Sequence, residues 1–290
     1  MFDFKELITN INLEQVDEFS FRGLSLPMPL PRVFGGQVLA QALRAGNHTV
    51  KDLRIAHSMH AYFLRPGDIK REIIYEVDPI RDGGSFTTRR VVAKQRNRPI
   101  FNTTISFQTR EEGLEHQIDM PDNVPPPESL ENDVDRDNRL NPKYKHLRSR
   151  LPSNTMDFRS VSPRDENNVV AMEPVNGYWV KFNDIVDVDT GVHQSLLAYI
   201  SDLSLMSTGI RPHYLAMDMK RFQGASLDHS LWFHTDFRVD EWLYYHMDSP
   251  RAAHGRNFNR GSFYTKEGVL VASSAQEGLM RLRKAMIKKK

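Results

Sequence analysis

Two stretches of the chain, "HSMHAYFLRPGD" from His57 and "HSLWFHTDFRVDEW" from His229, open on the same His-Ser pair and run into similar apolar and aromatic text, 172 residues apart (57 to 229). The flanks agree as well. Tyr75 falls against Tyr245, Arg81 against Arg251 and Gln108 against Gln276. A helix-like segment precedes each copy, "VFGGQVLAQALRAG" in the first and "VHQSLLAYISDLSLM" in the second. Self-similarity over that distance requires one fold built twice, each time at the size of a small domain. The division it predicts is a first unit over 1–110, a linker over 111–154 and a second unit over 155–290.

Within each unit the order of signals is the same. One or two short strands open the first over 12–22, and the prolines of "LPMPLPR" then exclude a helix. A helix is predicted from Val33 to about Asn47, its small residues Gly36, Ala40, Ala42 and Ala45 allowing close approach to another backbone. Strands follow over 55–64, 70–81, 85–96 and 99–109, punctuated by Pro-Gly, Asp-Gly-Gly and Asn-Arg-Pro. The charged, proline-rich stretch from Arg110 to Val169 reads as a connector holding a short helix and a strand. The second unit repeats the scheme with a helix from about Thr190 to Met206 and four strands over 227–277. One helix followed by consecutive strands joined by short turns predicts an α+β unit, an antiparallel sheet wrapped around a central helix. Present twice, this is a tandem hot-dog.

Composition narrows the function. Hydrophobic residues at 39% and charged residues at 26% describe a folded globular chain, and no apolar run reaches the length of a membrane span. A net charge of +2 offers no electrostatic case for nucleic acid, and the basic end "RLRKAMIKKK" reads as a solvated terminus. The start "MFDFKELITN" lacks the features of a secretory signal. The chain has no cysteine, which removes a thiol nucleophile and thiolate metal ligands. "HSMH" completes no ligand set for a metal, and "VFGGQVLAQ" lacks the third glycine of a dinucleotide fingerprint. Its Gly-Gly at a helix start still offers backbone N–H groups to an anionic or carbonyl oxygen.

Three polar residues in the second unit stand out. Asp202 falls within a helix that is apolar nearly all round: Leu196, Leu197, Tyr199, Ile200, Leu203, Leu205 and Met206. A carboxylate there is either at a solvated helix edge or a partly desolvated general base, and both readings are open on the residues alone. Gln276 is predicted to end a strand, sharing a face with Leu270, Ala272 and Ser274, and serves a ligand or the fold equally well. Ser226 lacks a G-x-S-x-G elbow, so its hydroxyl suits hydrogen bonding better than covalent attack. Arg81, Arg89, Arg90, Arg256 and Arg260 lie on or near long strands; most are expected to be solvated, a few to meet phosphates.

"VFGGQVLAQAL", "HSMHAYFLRPGD", "RDGGSFTTRRV", "LDHSLWFHTDFRVDEWLYY" and "GVLVASSAQEGLMR" together resemble the acyl-CoA thioesterase II family, which spans bacterial and peroxisomal eukaryotic enzymes. The resemblance covers nearly the whole chain and is weakest over 120–170. It implies a double hot-dog that hydrolyses fatty acyl-CoA to free fatty acid and coenzyme A, without a cofactor. It also implies a catalytic set of Asp202, Ser226 (threonine in many members) and Gln276, and self-association to dimers or tetramers. In the first unit, Leu43 or Arg44 is expected at the place of Asp202, and only Gln108 of the set has a counterpart. Two other functions remain to be weighed. A hot-dog hydratase places a histidine five residues after its aspartate, where this chain has Ser207. A non-catalytic acyl-CoA-binding module has no need of a buried carboxylate. A cytoplasmic location is expected over a peroxisomal one, because "IKKK" does not match the Ser-Lys-Leu type of signal.

Overall fold

The computed structural model describes residues 3–28, 30–51, 54–140, 155–164, 170–184, 186, 188–213 and 222–282. The chain opens with α1 (Phe4–Ile11), β1 (Glu14–Asp17) and β2 (Ser20–Gly23), followed by the central helix α2 (Gly35–His48). Four long strands come next: β3 (Arg54–Phe63), β4 (Ile73–Asp82), β5 (Phe86–Gln95) and β6 (Arg98–Thr109). The connecting stretch holds a 3-10 turn at Pro127–Ser129 and α3 (Asp133–Leu140). The order then repeats with β7 (Met156–Ser160), β8 (Val175–Phe182), α4 (Thr190–Ser201) and the one-turn α5 (Leu205–Thr208). It ends with β9 (Phe222–Ser226), β10 (Asp228–Phe233), β11 (Leu243–Ala253), β12 (Arg256–Thr265) and β13 (Leu270–Leu282).

All of these strands join one antiparallel sheet in the order β1-β2-β4-β5-β6-β3-β10-β13-β12-β11-β8-β7, with β9 added on β13. Read outward from the β3–β10 seam, both halves give the same succession, and each half curls over one central helix. This is the expected α+β double hot-dog. The two helices lie against each other, so their apolar residues bury on the sheet and on the opposite helix at once. No helix among the described residues is long and apolar enough to cross a membrane.

Strand register fixes which residues of the two halves correspond. At the seam His60 pairs with Ser230, and their side chains meet at 3.0 Å. The β4–β5 ladder is bulged between Asp78 and Arg81, the β11–β12 ladder between Asp248 and Arg251, and Tyr75 and Tyr245 are both fully buried. These pairs share an offset of 170 residues (60 to 230, 75 to 245). The fold is therefore duplicated, but the His-Ser letters are not in register: the counterpart of His229 is Met59. His57 stands beside a bulge between Ala56 and Ser58 and bonds Ser106 Oγ at 2.8 Å. A slip of two residues leaves every side chain on its own face, so alternation could not expose the mismatch.

Three other expectations change. The second central helix stops at Ser201 rather than Met206, because Ser204 takes a left-handed φ of 67° and Leu203 N–H closes back on Ile200 O. Strand β13 runs past Gln276 to Leu282, since β9 pairs with its last residues. Helix α1 is an addition. Asp3 and Glu6 form a capping box, and Leu7 and Ile11, one turn apart, bury against the core. The connecting stretch lies on the outer face of the second half, where Trp179 Nε1 donates to Pro125 O (2.8 Å) and Met120, Val124 and Leu130 cover Trp179, Tyr244 and Tyr264. Residues 141–154 of the expected linker and 283–290 of the basic end lie outside the described residues.

The tightest point of the helix crossing is Gly36. A Cβ there would lie 2.4 Å from Tyr199 O and 2.5 Å from the Phe34 ring. Gly36→Ala must push the helices apart and is expected to destabilise the fold by about 1–3 kcal/mol. The urea midpoint reads this directly; an unchanged midpoint contradicts the close crossing.

Candidate active site

Because α4 ends at Ser201, Asp202 is the C-cap residue, and its carboxylate turns toward the first turn of α2. Gly35 makes room for it: a Cβ at that position would stand 2.6 Å from Asp202 Oδ2 and 3.0 Å from the Phe63 ring. Strand β13 brings Gln276 to the same point, and its Nε2 donates to Asp202 Oδ1 at 2.7 Å. The β9–β13 ladder pairs Ser226 with Gly278, and Ser226 Oγ donates to the same oxygen at 3.3 Å. Asp202, Ser226 and Gln276, separated by up to 74 residues, thus meet at one point. The third donor comes from the other half of the chain, the backbone N–H of Gly36.

These surroundings set the charge state. Loss of water is the largest influence on Asp202 and pushes its carboxyl up; the bonds from Gln276, Ser226 and Gly36 and the charge of Arg32 pull it down. The balance raises it from 3.8 to about 6. At neutral pH the group is ionised, yet basic enough to take a proton.

The amide of Gln276 is fully committed on one side and free on the other. Its Nε2 also faces His229 Nδ1 at 3.2 Å, while its Oε1 is buried without a protein partner among the described residues. A buried acceptor left open beside a base is a place for a polar guest. His229, wholly buried, completes the chain by meeting Ser201 Oγ through Nε2 at 2.9 Å. Sequence reasoning overlooked His229 as a site residue, although it shares a strand face with the core residues Leu231 and Phe233.

The first half repeats the frame with other residues in these places. Counted from the N-cap residues Phe34 and Asp189, the counterpart of Asp202 is Asn47, not Leu43 or Arg44. Asn47 approaches Gly191 as Asp202 approaches Gly35. Gln108 is not the counterpart of Gln276 either. Asn259 pairs with Gln276, and Arg89, its counterpart at the offset of 170, pairs with Ile105. Ile105 therefore occupies the place of Gln276, and Met59 that of His229. The strand arginines are committed elsewhere: Arg89 to Asp82, Arg90 to Asp78, Arg256 to Glu277 and Arg260 to Asp248, each as an ion pair.

A desolvated carboxylate at a helix crossing, held by an amide and a hydroxyl inside a double hot-dog, has the chemistry of a general base. The comparisons name the family. Residues 155–279 match the acyl-CoA thioesterase family and residues 24–108 the acyl-CoA thioesterase N-terminal domain. The chain is 37% identical to human acyl-coenzyme A thioesterase 8 over 285 residues, covering 95% of this chain and 88% of that one. It superposes on the acyl-CoA thioesterase II TesB2 of Mycobacterium marinum with a TM-score of 0.79 at 36% identity, covering 96% and 98% of the two chains. A hot-dog protein of Alicyclobacillus acidocaldarius shares the fold at 17% identity, with a TM-score of 0.76 over 96% and 99% of the chains. The chain belongs to the acyl-CoA thioesterase family, enzymes that hydrolyse acyl-CoA to the free acid and coenzyme A.

The raised value of Asp202 has a consequence for stability. An acid whose folded value lies above its ordinary one weakens the fold as it ionises, so stability falls as pH rises from about 4 through about 6. Asp202→Asn is expected to be more stable than the native chain by about 1–3 kcal/mol at pH 8, with the gap closing toward pH 4. Melts across that range check it; a gap that widens in acid contradicts the shift.

Proposed function

We propose that the chain hydrolyses fatty acyl-CoA by direct attack of a water activated by Asp202, in a single site assigned to Asp202, Ser226 and Gln276. The observation that supports this most is the open Oε1 of Gln276 beside an ionised carboxylate of value about 6. A water there donates one hydrogen to Gln276 Oε1 and the other to Asp202. Its oxygen attacks the thioester carbonyl as Asp202 takes the proton. Collapse of the tetrahedral oxyanion expels the coenzyme A thiolate, which recovers a proton. Both hydrogens of the Gln276 amide are occupied, so the carbonyl oxygen must be polarised by other donors. The N-terminal end of α2 is suited to that: Phe34 gives it no side-chain cap, and its dipole faces the site. Ser226 holds the carboxylate and performs no covalent step.

The division into units over 1–110 and 155–290 with a linker over 111–154 belongs to the same proposal on the strength of the repeat, self-association to dimers or tetramers on that of the resemblance, and a cytoplasmic location is preferred to a peroxisomal one. Of the other functions, a hydratase is disfavoured by Ser207, and a binding module by the desolvated carboxylate.

Thiol release from acyl-CoAs of several chain lengths is expected for the folded protein; none with any chain length would favour a binding module. Asp202→Asn should lower turnover by about 10²–10⁴-fold. Gln276→Ala should lower it by roughly 10²–10³-fold, whereas Gln108→Ala stays within about tenfold. Equal losses at Gln276 and Gln108, at equal thermal stability, would contradict a single site.

A further inference from the structure

We infer that His229 is a positioning residue of this site, fixing the Gln276 amide so that Nε2 faces Asp202 and Oε1 faces the attacking water. The inference rests on the reading of Asp202, Ser226 and Gln276 given above and adds the group that orients them.

The Gln276 amide has two alternative orientations. A glutamine amide flips by half a turn at little cost, exchanging its oxygen and nitrogen. With Asp202 ionised, an oxygen turned toward the carboxylate would be repelled, but that preference vanishes whenever Asp202 accepts a proton. A reaction that passes a proton to Asp202 in every turnover therefore needs a second, charge-independent lock on the amide. His229 supplies it. Gln276 Nε2 can only donate, so His229 Nδ1, at 3.2 Å, must be the bare nitrogen, and the ring hydrogen is on Nε2. That hydrogen points to Ser201 Oγ at 2.9 Å, and Ser201 Oγ–H continues to Ala198 O at 2.9 Å. The direction of each bond in the chain is fixed by the next, and it ends on a helix carbonyl that cannot reverse.

The surroundings keep the ring in that form. His229 is wholly buried, and burial pushes it down to about 3, so it is neutral throughout the working range. Tyr245, whose hydroxyl bonds Ser201 O at 3.0 Å and Ser274 Oγ at 2.8 Å, is pushed the opposite way and stays protonated. Among Asp202, His229 and Tyr245, only Asp202, beyond the amide, changes charge near neutrality.

The first half serves as an internal comparison. Its counterparts of Asp202, Gln276 and His229 are Asn47, Ile105 and Met59, whereas the buried tyrosine survives as Tyr75. The fold thus tolerates an apolar side chain at the position of His229. Histidine stands there in the half that also has the glutamine and the carboxylate.

Two substitutions separate positioning from packing. His229→Asn keeps an acceptor near the place of Nδ1, whereas His229→Gln puts its amide near the place of Nε2 and leaves Gln276 without one. With acyl-CoA as substrate, turnover should stay within about tenfold for His229→Asn and drop roughly 10²-fold for His229→Gln, with KM little changed. In a Gln276→Ala background, His229→Gln should add less than about threefold, because both act through one amide. Equal loss in both His229 variants, or an undiminished effect in that background, overturns the inference. A slow Gln276→Ala beside a native-rate His229→Gln sinks this inference alone; a native-rate Gln276→Ala sinks the site reading and this with it. Nitrogen NMR of the unsubstituted chain needs no variant to fold. The His229 ring should carry its proton on Nε2 and remain neutral down to pH 5, and protonation near pH 6.5 or a proton on Nδ1 overturns the inference equally.

Discussion

Everything at the site depends on how closely the two central helices cross. Gly36 has no side chain, so the backbone of α2 can rest on Tyr199 O of α4. That contact places the C-cap of α4 over the first turn of α2, and Asp202 is the residue at that cap. One half of the chain contributes the carboxylate with the Gln276 amide and the Ser226 hydroxyl, and the other contributes the Gly36 N–H facing it. The arrangement also accounts for the carboxylate's affinity for protons. Packing dense enough to bring the helices together removes water from Asp202 to an extent that three donors and the charge of Arg32 do not offset.

Duplication gave the chain two such crossings of helix ends, and only one is equipped. At the far crossing Asn47 faces Gly191, and behind it Ile105 and Met59 replace an amide and an imidazole with apolar side chains. The substitutions form a set. Once no base is present, a buried amide with an open oxygen and a buried imidazole are unsatisfied polar groups, and apolar residues of similar bulk suit the core better. The near half has both beside Asp202, where the proposed reaction places a water.

Much of this was legible in the sequence. The double hot-dog followed from the order of one helix and four strands, written twice, and the connecting helix and strand from the change in composition. The convergence of Asp202, Ser226 and Gln276 was not deducible from spacing and came through resemblance to a family. Register was the weak point. Matching letters suggested His57 against His229 and Gln108 against Gln276, while the shared bulges after Asp78 and Asp248 set a different offset. Bulges and turn lengths absorb residues silently, so identity of letters across strands is poor evidence of identity of place. The end of α4 was equally hidden, since Ser204 in a left-handed turn has no strong sequence signal, unlike the Asp3–Glu6 box that announces α1.

The central claim is that water, held by Gln276 and Asp202, attacks the thioester itself. A single turnover in ¹⁸O-water, with enzyme in excess over acyl-CoA, tests it most directly. Direct attack predicts that the fatty acid formed in that first turnover contains one ¹⁸O and that the peptide bearing Asp202 contains none. An acyl group passing through the Asp202 carboxylate would put the heavy oxygen into Asp202 and yield unlabelled acid, and that result would contradict the account.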